Sequence, residues 1–191
     1  MLVLVVGGSG SGKSEFAERL CCKLCPGQKF YIATMQISDA ESERRVIRHR
    51  QMRAAENFAT IECQTGLEEV SVSPGRTVLL ECMSNLIANE MYSPAGRLRA
   101  AGFAASPVQK RVEREAVSLI MEGIRSLTAQ AEHVAIVTNQ VFSDGVEYDA
   151  STRIYMKILA AVNREIAAAA DEVYEVVHGI PLSLKTERNS V

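Results

Sequence analysis

Short apolar runs alternate along the chain with longer segments in which apolar residues recur at every third or fourth position. The short runs predict buried strands, and the periodic segments predict amphipathic helices. The predicted strands are 2–6, 30–34, 60–63, 77–82, 134–139, 172–177 and 182–185. The predicted helices are 14–24, 39–54, 83–91, 107–130 and 151–170. Residues 92–107, with two prolines and two glycines, show little periodicity.

The order of these elements predicts the fold class. Strands that alternate with helices form right-handed β-α-β crossovers, which give a mainly parallel sheet with helices on both faces. The last two strands are joined at residues 178–181 and are predicted to form a hairpin. We therefore expect an α/β protein, folded as a single domain over residues 1–191, with a C-terminal β-hairpin.

Composition and charge narrow the class of protein. Of the 191 residues, 47% are hydrophobic and 23% are charged, which is typical of a globular domain and argues against disorder. The formal net charge of −2 argues against a protein that mainly binds nucleic acid. No run approaches the roughly 20 apolar residues that a membrane span needs, and the first apolar run is too short for a signal peptide.

The five cysteines do not resemble a disulfide framework, because their number is odd and three of them crowd positions 21, 22 and 25. No second Cys or His pair has the spacing of a structural zinc site, so we expect no structural metal. These features favour a cytoplasmic protein.

A phosphate-binding loop is the clearest motif. The pattern G-x-x-x-x-G-K-[ST] is matched in full by Gly7, Gly8, Ser9, Gly10, Ser11, Gly12, Lys13 and Ser14. It follows a predicted strand and opens a predicted helix, so backbone N–H groups and the helix N-terminus can hold a polyphosphate. We expect Lys13 to reach the β- and γ-phosphates and the Ser14 hydroxyl to bind Mg²⁺. The alternative is a glycine-rich turn without a ligand.

An acidic residue, Glu81, ends the apolar strand that is the best candidate for the second nucleotide-binding motif of such proteins. Its carboxylate would hold Mg²⁺, directly or through water, or would accept a hydrogen bond from a ribose. A carboxylate that only faces solvent is the remaining alternative.

A cluster of cations surrounds His49. Five arginines lie within residues 44–53, around this one imidazole. Nearby positive charge lowers the pKa of an imidazole and favours its neutral, nucleophilic form. Arginines also complement the charge of a triphosphate. The alternative is a solvated helix face without chemistry.

These motifs come in an order and spacing that resemble a known family. The loop GGSGSGKS, the strand FYIAT, the segment RVIRHRQMR, the run LLEC and the block VNREIAAAADEV with GIP resemble the bifunctional adenosylcobinamide kinase / adenosylcobinamide-phosphate guanylyltransferases of cobalamin biosynthesis. The resemblance runs from about residue 2 to 185. It implies a P-loop NTPase-like fold and a homotrimer with active sites between subunits.

The resemblance also implies roles for particular residues. His49 would attack the α-phosphate of GTP and carry GMP to adenosylcobinamide phosphate, with GTP or ATP as the phosphate donor in the kinase step. Residues implied to contact the nucleotide, besides the loop, are Thr34, Met35, Gln36, Arg50, Gln51, Met52, Arg53, Glu62 and Glu81. The implied cofactor is Mg²⁺ with the nucleotide, and the implied partner is a corrinoid.

The chain departs from the family pattern outside the phosphate loop and the His49 segment. Gln140 stands where the family usually has Glu, and one helix carries Met156, Lys157, Ala160 and Arg164 in place of the usual residues. Two other functions therefore stay open at this point. They are a different P-loop small-molecule kinase and a nucleotide-binding scaffold that has lost activity.

Overall fold

The computed structural model describes residues 1–36, 55–98, 109–141 and 146–186, with side chains from residue 113 onward in the third range. The described strands are β1 (Leu2–Gly7), β2 (Lys29–Ala33), β3 (Phe58–Glu62), β4 (Thr77–Glu81), β5 (His133–Asn139), β6 (Glu172–Val177) and β7 (Ile180–Thr186). The described α-helices are α1 (Lys13–Leu24), α2 (Met83–Tyr92), α3 (Gln109–Gln130) and α4 (Ala150–Ala169), with a 3₁₀ turn at Leu67–Glu69. The predicted helix 39–54 lies outside the described residues.

One seven-stranded sheet in the order β3-β2-β4-β5-β1-β6-β7 joins the described strands. Its described pairs are parallel except that β7 runs antiparallel to β6. The predicted α/β class with a C-terminal hairpin is confirmed. Because parallel strands carry their C-terminal ends to the same edge, the residues after β1, β2 and β4 lie along one edge of the sheet.

Both faces of the sheet are covered by helices, as the sequence predicts. Alternate residues of β1 point to opposite faces, so that Leu2 and Leu4 pack in one apolar cluster and Val3 and Val5 in another. Helix α1 covers the second cluster through Ala17 and Cys21, while α2, α3 and α4 cover the first. This double coverage explains why the central strands read as continuous apolar runs.

The two lysines at the ends of the α1 segment are both buried. Lys13 opens the helix, and Lys29 follows it as the first residue of β2. The Lys29 Nζ donates to the carbonyls of Cys25 and Gly27, at 3.1 and 3.0 Å, and lies 5.1 Å from the centre of the Phe58 ring. Lys29 therefore satisfies carbonyls beyond the C-terminal end of α1, where the helix dipole favours a cation.

Candidate active site

The phosphate-loop motif forms the connection between β1 and α1. Gly7 is the last residue of β1 and Lys13 the first of α1. Gly10 and Gly12 adopt the left-handed conformation, with φ of 69° and 86°, which glycine reaches without steric cost. The N–H of Phe16 donates to the Gly12 carbonyl at 3.0 Å, which starts the helix. The free N–H groups of the first turn therefore face the loop, as an anion site requires.

The side chain of Lys13 folds back over this loop. Its Nζ donates to the Gly8 carbonyl at 3.0 Å, and the residue is only 8% exposed. The positive charge is thus held within the loop, in a partly desolvated place where its attraction for an anion is stronger than in water.

A carboxylate and a hydroxyl meet beside the loop. The Ser14 Oγ donates to Glu81 Oε1, and the Tyr31 hydroxyl donates to the other carboxylate oxygen, Oε2, at 3.1 Å. Glu81 therefore does not simply face solvent. Hydroxyl and carboxylate oxygens are the ligands that Mg²⁺ prefers, so the donor set of Ser14 and Glu81 fits this ion. Tyr31 was not predicted from the sequence, because only the folded sheet brings its hydroxyl to Glu81.

Glu62 lies on the same level of the sheet as Glu81. Ala33 of β2 is the register partner of both residues, which places the two acids on either side of it. At the usual strand spacing, their Cα atoms are roughly 10 Å apart. Glu62 is exposed and lines a cavity of about 480 Å³ with residues 61–66 and 69–71. The structure thus brings the two predicted acids to one edge of the sheet, on either side of β2.

Thr34, Met35 and Gln36 follow β2 at this edge. The buried Thr34 side chain donates to the Cys82 carbonyl at 2.9 Å and accepts from the Cys82 N–H at 2.7 Å. Its own carbonyl accepts from Asn89 Nδ2 at 2.7 Å. The Thr34 hydroxyl is therefore engaged in joining β2 to the start of α2. Met35 is half-buried and Gln36 is exposed.

A polar network under the same edge was missed by the sequence analysis. Asn139 Nδ2 donates to Ser84 Oγ at 2.7 Å, and the Tyr155 hydroxyl donates to the Ser84 carbonyl at 3.2 Å. Burial raises the pKa of Tyr155 to about 12 and also raises the pKa of the Cys82 thiol, whose sulfur lies 3.0 Å from Ser84 Oγ. These groups stay neutral near pH 7, so the network fixes the start of α2 beside Glu81 without adding charge.

The remaining predicted site residues lie outside the described part of the chain. These are His49, Arg50, Gln51, Met52 and Arg53. The site described above therefore consists of the phosphate loop, the ends of β2, β3 and β4, and the start of α2.

Comparison with known proteins decides the family. The profile of the family described as "Cobinamide kinase / cobinamide phosphate guanyltransferase" matches residues 3–184. The chain belongs to this family. The predicted kinase and guanylyltransferase activities of cobalamin biosynthesis are confirmed at the level of the family.

Curated relatives of the family match over almost the whole chain. The bifunctional adenosylcobalamin biosynthesis protein CobU of Escherichia coli (strain K12) is 35% identical over 188 residues, covering 97% of this chain and 100% of the relative. The protein of the same name from Salmonella typhimurium (strain LT2) is 32% identical, with the same coverage of both chains.

Solved structures support the fold alone. A prototypical ATPase from the type III secretion system of pathogenic bacteria is 10% identical, with a TM-score of 0.54, and the match covers 95% of this chain and 56% of that one. The fold of this chain is thus shared with a distantly related protein. Among the helices that the structure describes, none is long and apolar enough to span a bilayer.

Proposed function

We propose that this protein phosphorylates adenosylcobinamide and then transfers GMP from GTP to the resulting phosphate, through a guanylyl group carried on His49. The family supplies the two activities. The proposal adds the guanylyl-histidine intermediate, GTP as the source of GMP, and the residues that carry out each step. The observation that carries it is the arrangement at the end of β1, where the buried Lys13 ammonium and the Ser14–Glu81 pair flank one phosphate loop.

The phosphate loop would hold the triphosphate in both reactions. Backbone N–H groups of residues 7–14 donate to phosphate oxygens, and Lys13 places its charge where the β- and γ-phosphates lie. Ser14 and Glu81 would hold Mg²⁺, which neutralises charge on the phosphate oxygens when it is bound. Tyr31, by donating to Glu81 Oε2, keeps that carboxylate turned toward Ser14.

His49 would be the nucleophile of the guanylyl transfer. A neutral ring nitrogen attacks the α-phosphorus of GTP, a P–N bond forms, and the bond to the β-phosphate oxygen breaks so that pyrophosphate leaves. A phosphate oxygen of adenosylcobinamide phosphate then attacks the same phosphorus, and the P–N bond breaks to restore the imidazole. The nearby arginines, of which Arg50 and Arg53 are two, complement the anionic charge.

Further contacts and the assembly complete the proposal. Thr34, Met35, Gln36, Gln51, Met52 and Glu62 would line the nucleotide, with Thr34 acting through its backbone because its hydroxyl is already engaged. The protein would be a single cytoplasmic domain that assembles as a homotrimer. The resemblance described above supports the contacts and the trimer, whereas the length of the chain supports the single domain and its cysteine pattern supports the location.

A covalent adduct is the direct test. Incubation with GTP labelled at the α-phosphate should leave the label on the protein, as a phosphoramidate that is lost in acid and survives alkali. His49→Asn should abolish the label. His133→Asn is the matched control, since His133 opens β5 at the opposite edge of the sheet, and it should label normally. Label that persists in His49→Asn, or a wild type that binds GTP without labelling, would contradict the proposal.

A further inference from the structure

The turn between β6 and β7 contacts the phosphate loop. This turn consists of His178 and Gly179, both with positive φ, of 50° and 80°. The Gly179 N–H donates to the Ser11 carbonyl at 2.7 Å, across 168 positions of sequence. The C-terminal hairpin, which the phosphate-loop motif does not include, therefore holds one of the motif's own peptide groups.

The loop and the hairpin also lie in close steric contact at two places. A Cβ atom built on Gly12 would lie 3.1 Å from the Gly179 Cα. A Cβ atom built on Gly7 would lie 2.8 Å from the Val176 carbonyl oxygen, in β6. At Gly12 the nearest atoms are backbone atoms of Gly179, and at Gly7 the Ser11 side chain lies beside the Val176 carbonyl and fills the remaining space. The position of the hairpin therefore constrains the position of the loop backbone.

Peptide planarity links this contact to the anion site. In a planar trans peptide, the carbonyl and the following N–H point in opposite directions. Because Gly179 holds the Ser11 carbonyl toward the hairpin, the N–H of Gly12 is directed away from the hairpin. The Gly7 carbonyl is held in a similar way by the N–H of Gln140, at 3.1 Å, on the side of β5. Two carbonyls of the loop are thus anchored outward.

We propose that Gly179 is a positioning residue for the nucleotide, which acts by orienting the Ser11–Gly12 peptide for phosphate binding. This inference rests on the proposed nucleotide site. Gly179 adopts its left-handed φ in the two-residue turn that presents its N–H to Ser11, and nothing lies within 4 Å of a Cβ built there. A substitution at this position therefore acts through the backbone conformation of the turn and not through a side-chain clash.

Gly179→Ala and a matched control separate this role from ordinary backbone strain. Gly75 has a φ of +70° and open space around a built Cβ, and it precedes β4 at the edge of the sheet opposite the loop. Each alanine variant carries the cost of a left-handed L-residue, so both should lower the melting temperature by a similar amount, about 2–8 °C. Only Gly179→Ala should also weaken nucleotide binding.

The binding probe is a GTP analogue with a methylene bridge between the α- and β-phosphates, titrated by calorimetry with Mg²⁺. We expect Gly179→Ala to raise its Kd by about 5- to 30-fold, with Gly75→Ala unchanged. Gly179→Asn should recover most of the affinity, since Asn tolerates the left-handed conformation and keeps the N–H donor. If Gly179→Ala does not fold, the affinity of Gly179→Asn for the analogue is measured in its place.

Three results would overturn the inference. The first is wild-type affinity in Gly179→Ala with the expected loss of stability. The second is an equal loss of affinity in Gly75→Ala. The third is an affinity of Gly179→Asn no better than that of a folded Gly179→Ala. A wild type that does not bind the analogue would instead refute the nucleotide site itself, and the inference with it.

Discussion

Exchange of each buried lysine beside α1 for methionine should separate binding from stability. Lys13 and Lys29 are 8% and 2% exposed, and both donate from Nζ to backbone carbonyls. Methionine keeps the length and most of the apolar stem, and removes the charge and the donors. The two substitutions are therefore chemically identical, and they differ only in the contacts of the ammonium that each one removes.

Lys13→Met should impair nucleotide use while leaving the fold nearly as stable. The lost hydrogen bond to Gly8 is offset by relief from burying a cation, so we expect the free energy of unfolding to change by less than about 1 kcal/mol. At a bound phosphate, loss of one charge-assisted contact should cost about 2–4 kcal/mol, or roughly 30- to 1000-fold in kcat/KM.

Lys29→Met should show the opposite pattern. Two carbonyls, those of Cys25 and Gly27, would lose their donor, and the contact with the Phe58 ring would lose its charge. With the favourable position beyond the helix C-terminus, these losses outweigh the relief from burying a cation, because two partly buried carbonyls are left without a donor. We expect a net loss of about 1–3 kcal/mol of stability. Affinity for the nucleotide should stay within a factor of about 2, because Lys29 lies at the far end of α1.

Urea denaturation and GTP titration, applied to both variants, form the assay. The free energy of unfolding comes from the midpoint and slope of the urea transition. Near-normal guanylylation and kinase rates in Lys13→Met would refute the phosphate-loop assignment. An unchanged urea midpoint in Lys29→Met would refute the structural role given to that ammonium.

Two further variants test local packing and capping. Gly123→Ala should lower the free energy of unfolding by about 1–2 kcal/mol in urea denaturation, because the new Cβ would lie 2.8 Å from the Leu67 Cβ. The gain in helix propensity offsets only part of this loss. A variant more stable than wild type would contradict this packing. Asp149 caps α4 by accepting from the N–H groups of Ser151 and Thr152. The bond from the Thr152 hydroxyl, and then the bonds from these N–H groups, lower the pKa of the carboxyl from its ordinary value. Asp149→Ala should lower the melting temperature at neutral pH, whereas Asp149→Asn should retain most of it. Since the folded-state pKa is lowered, the part of the contribution that depends on charge is present above the unfolded value and lost as the pH falls through the folded value. The difference in melting temperature between wild type and Asp149→Ala should therefore narrow in acid, toward the difference between Asp149→Asn and Asp149→Ala. A difference that does not narrow as the pH falls would contradict this charge-dependent part of the capping role.

The first half of the nucleotide site was predictable because it is local in sequence. An apolar run, a glycine-rich loop and an amphipathic segment identify β1, the phosphate loop and α1 without any tertiary information. The fold class followed from the alternation of elements. These signals depend only on residues that are close together in the sequence, so they can be recognised without knowing the fold.

Other features depend on contacts between distant segments. The bond from Tyr31 to Glu81 and the contact of Gly179 with Ser11 exist only after the sheet has formed. The 3₁₀ turn at Leu67–Glu69 was not predicted, since it is stabilised by packing of Leu67 against α3 at Gly123.

The exact ends of the strands also depend on contacts that the sequence does not show. β3 starts at Phe58, two residues before the predicted strand, and β7 starts at Ile180 and includes Pro181. Pro181 was predicted to lie in the connection; proline donates no backbone hydrogen bond, yet an edge strand tolerates it. The assignment of His49, the trimer and the single domain over 1–191 stay predictions.

The most direct test of the account is the fate of the corrinoid in three enzymes. Adenosylcobinamide is incubated with GTP, ATP and Mg²⁺, and the products are separated by liquid chromatography and identified by mass. Wild type should form adenosylcobinamide-GDP, His49→Asn should stop at adenosylcobinamide phosphate, and Lys13→Met should leave most of the corrinoid unmodified. Formation of adenosylcobinamide-GDP by His49→Asn, or a wild type that leaves the corrinoid unphosphorylated, would contradict the account.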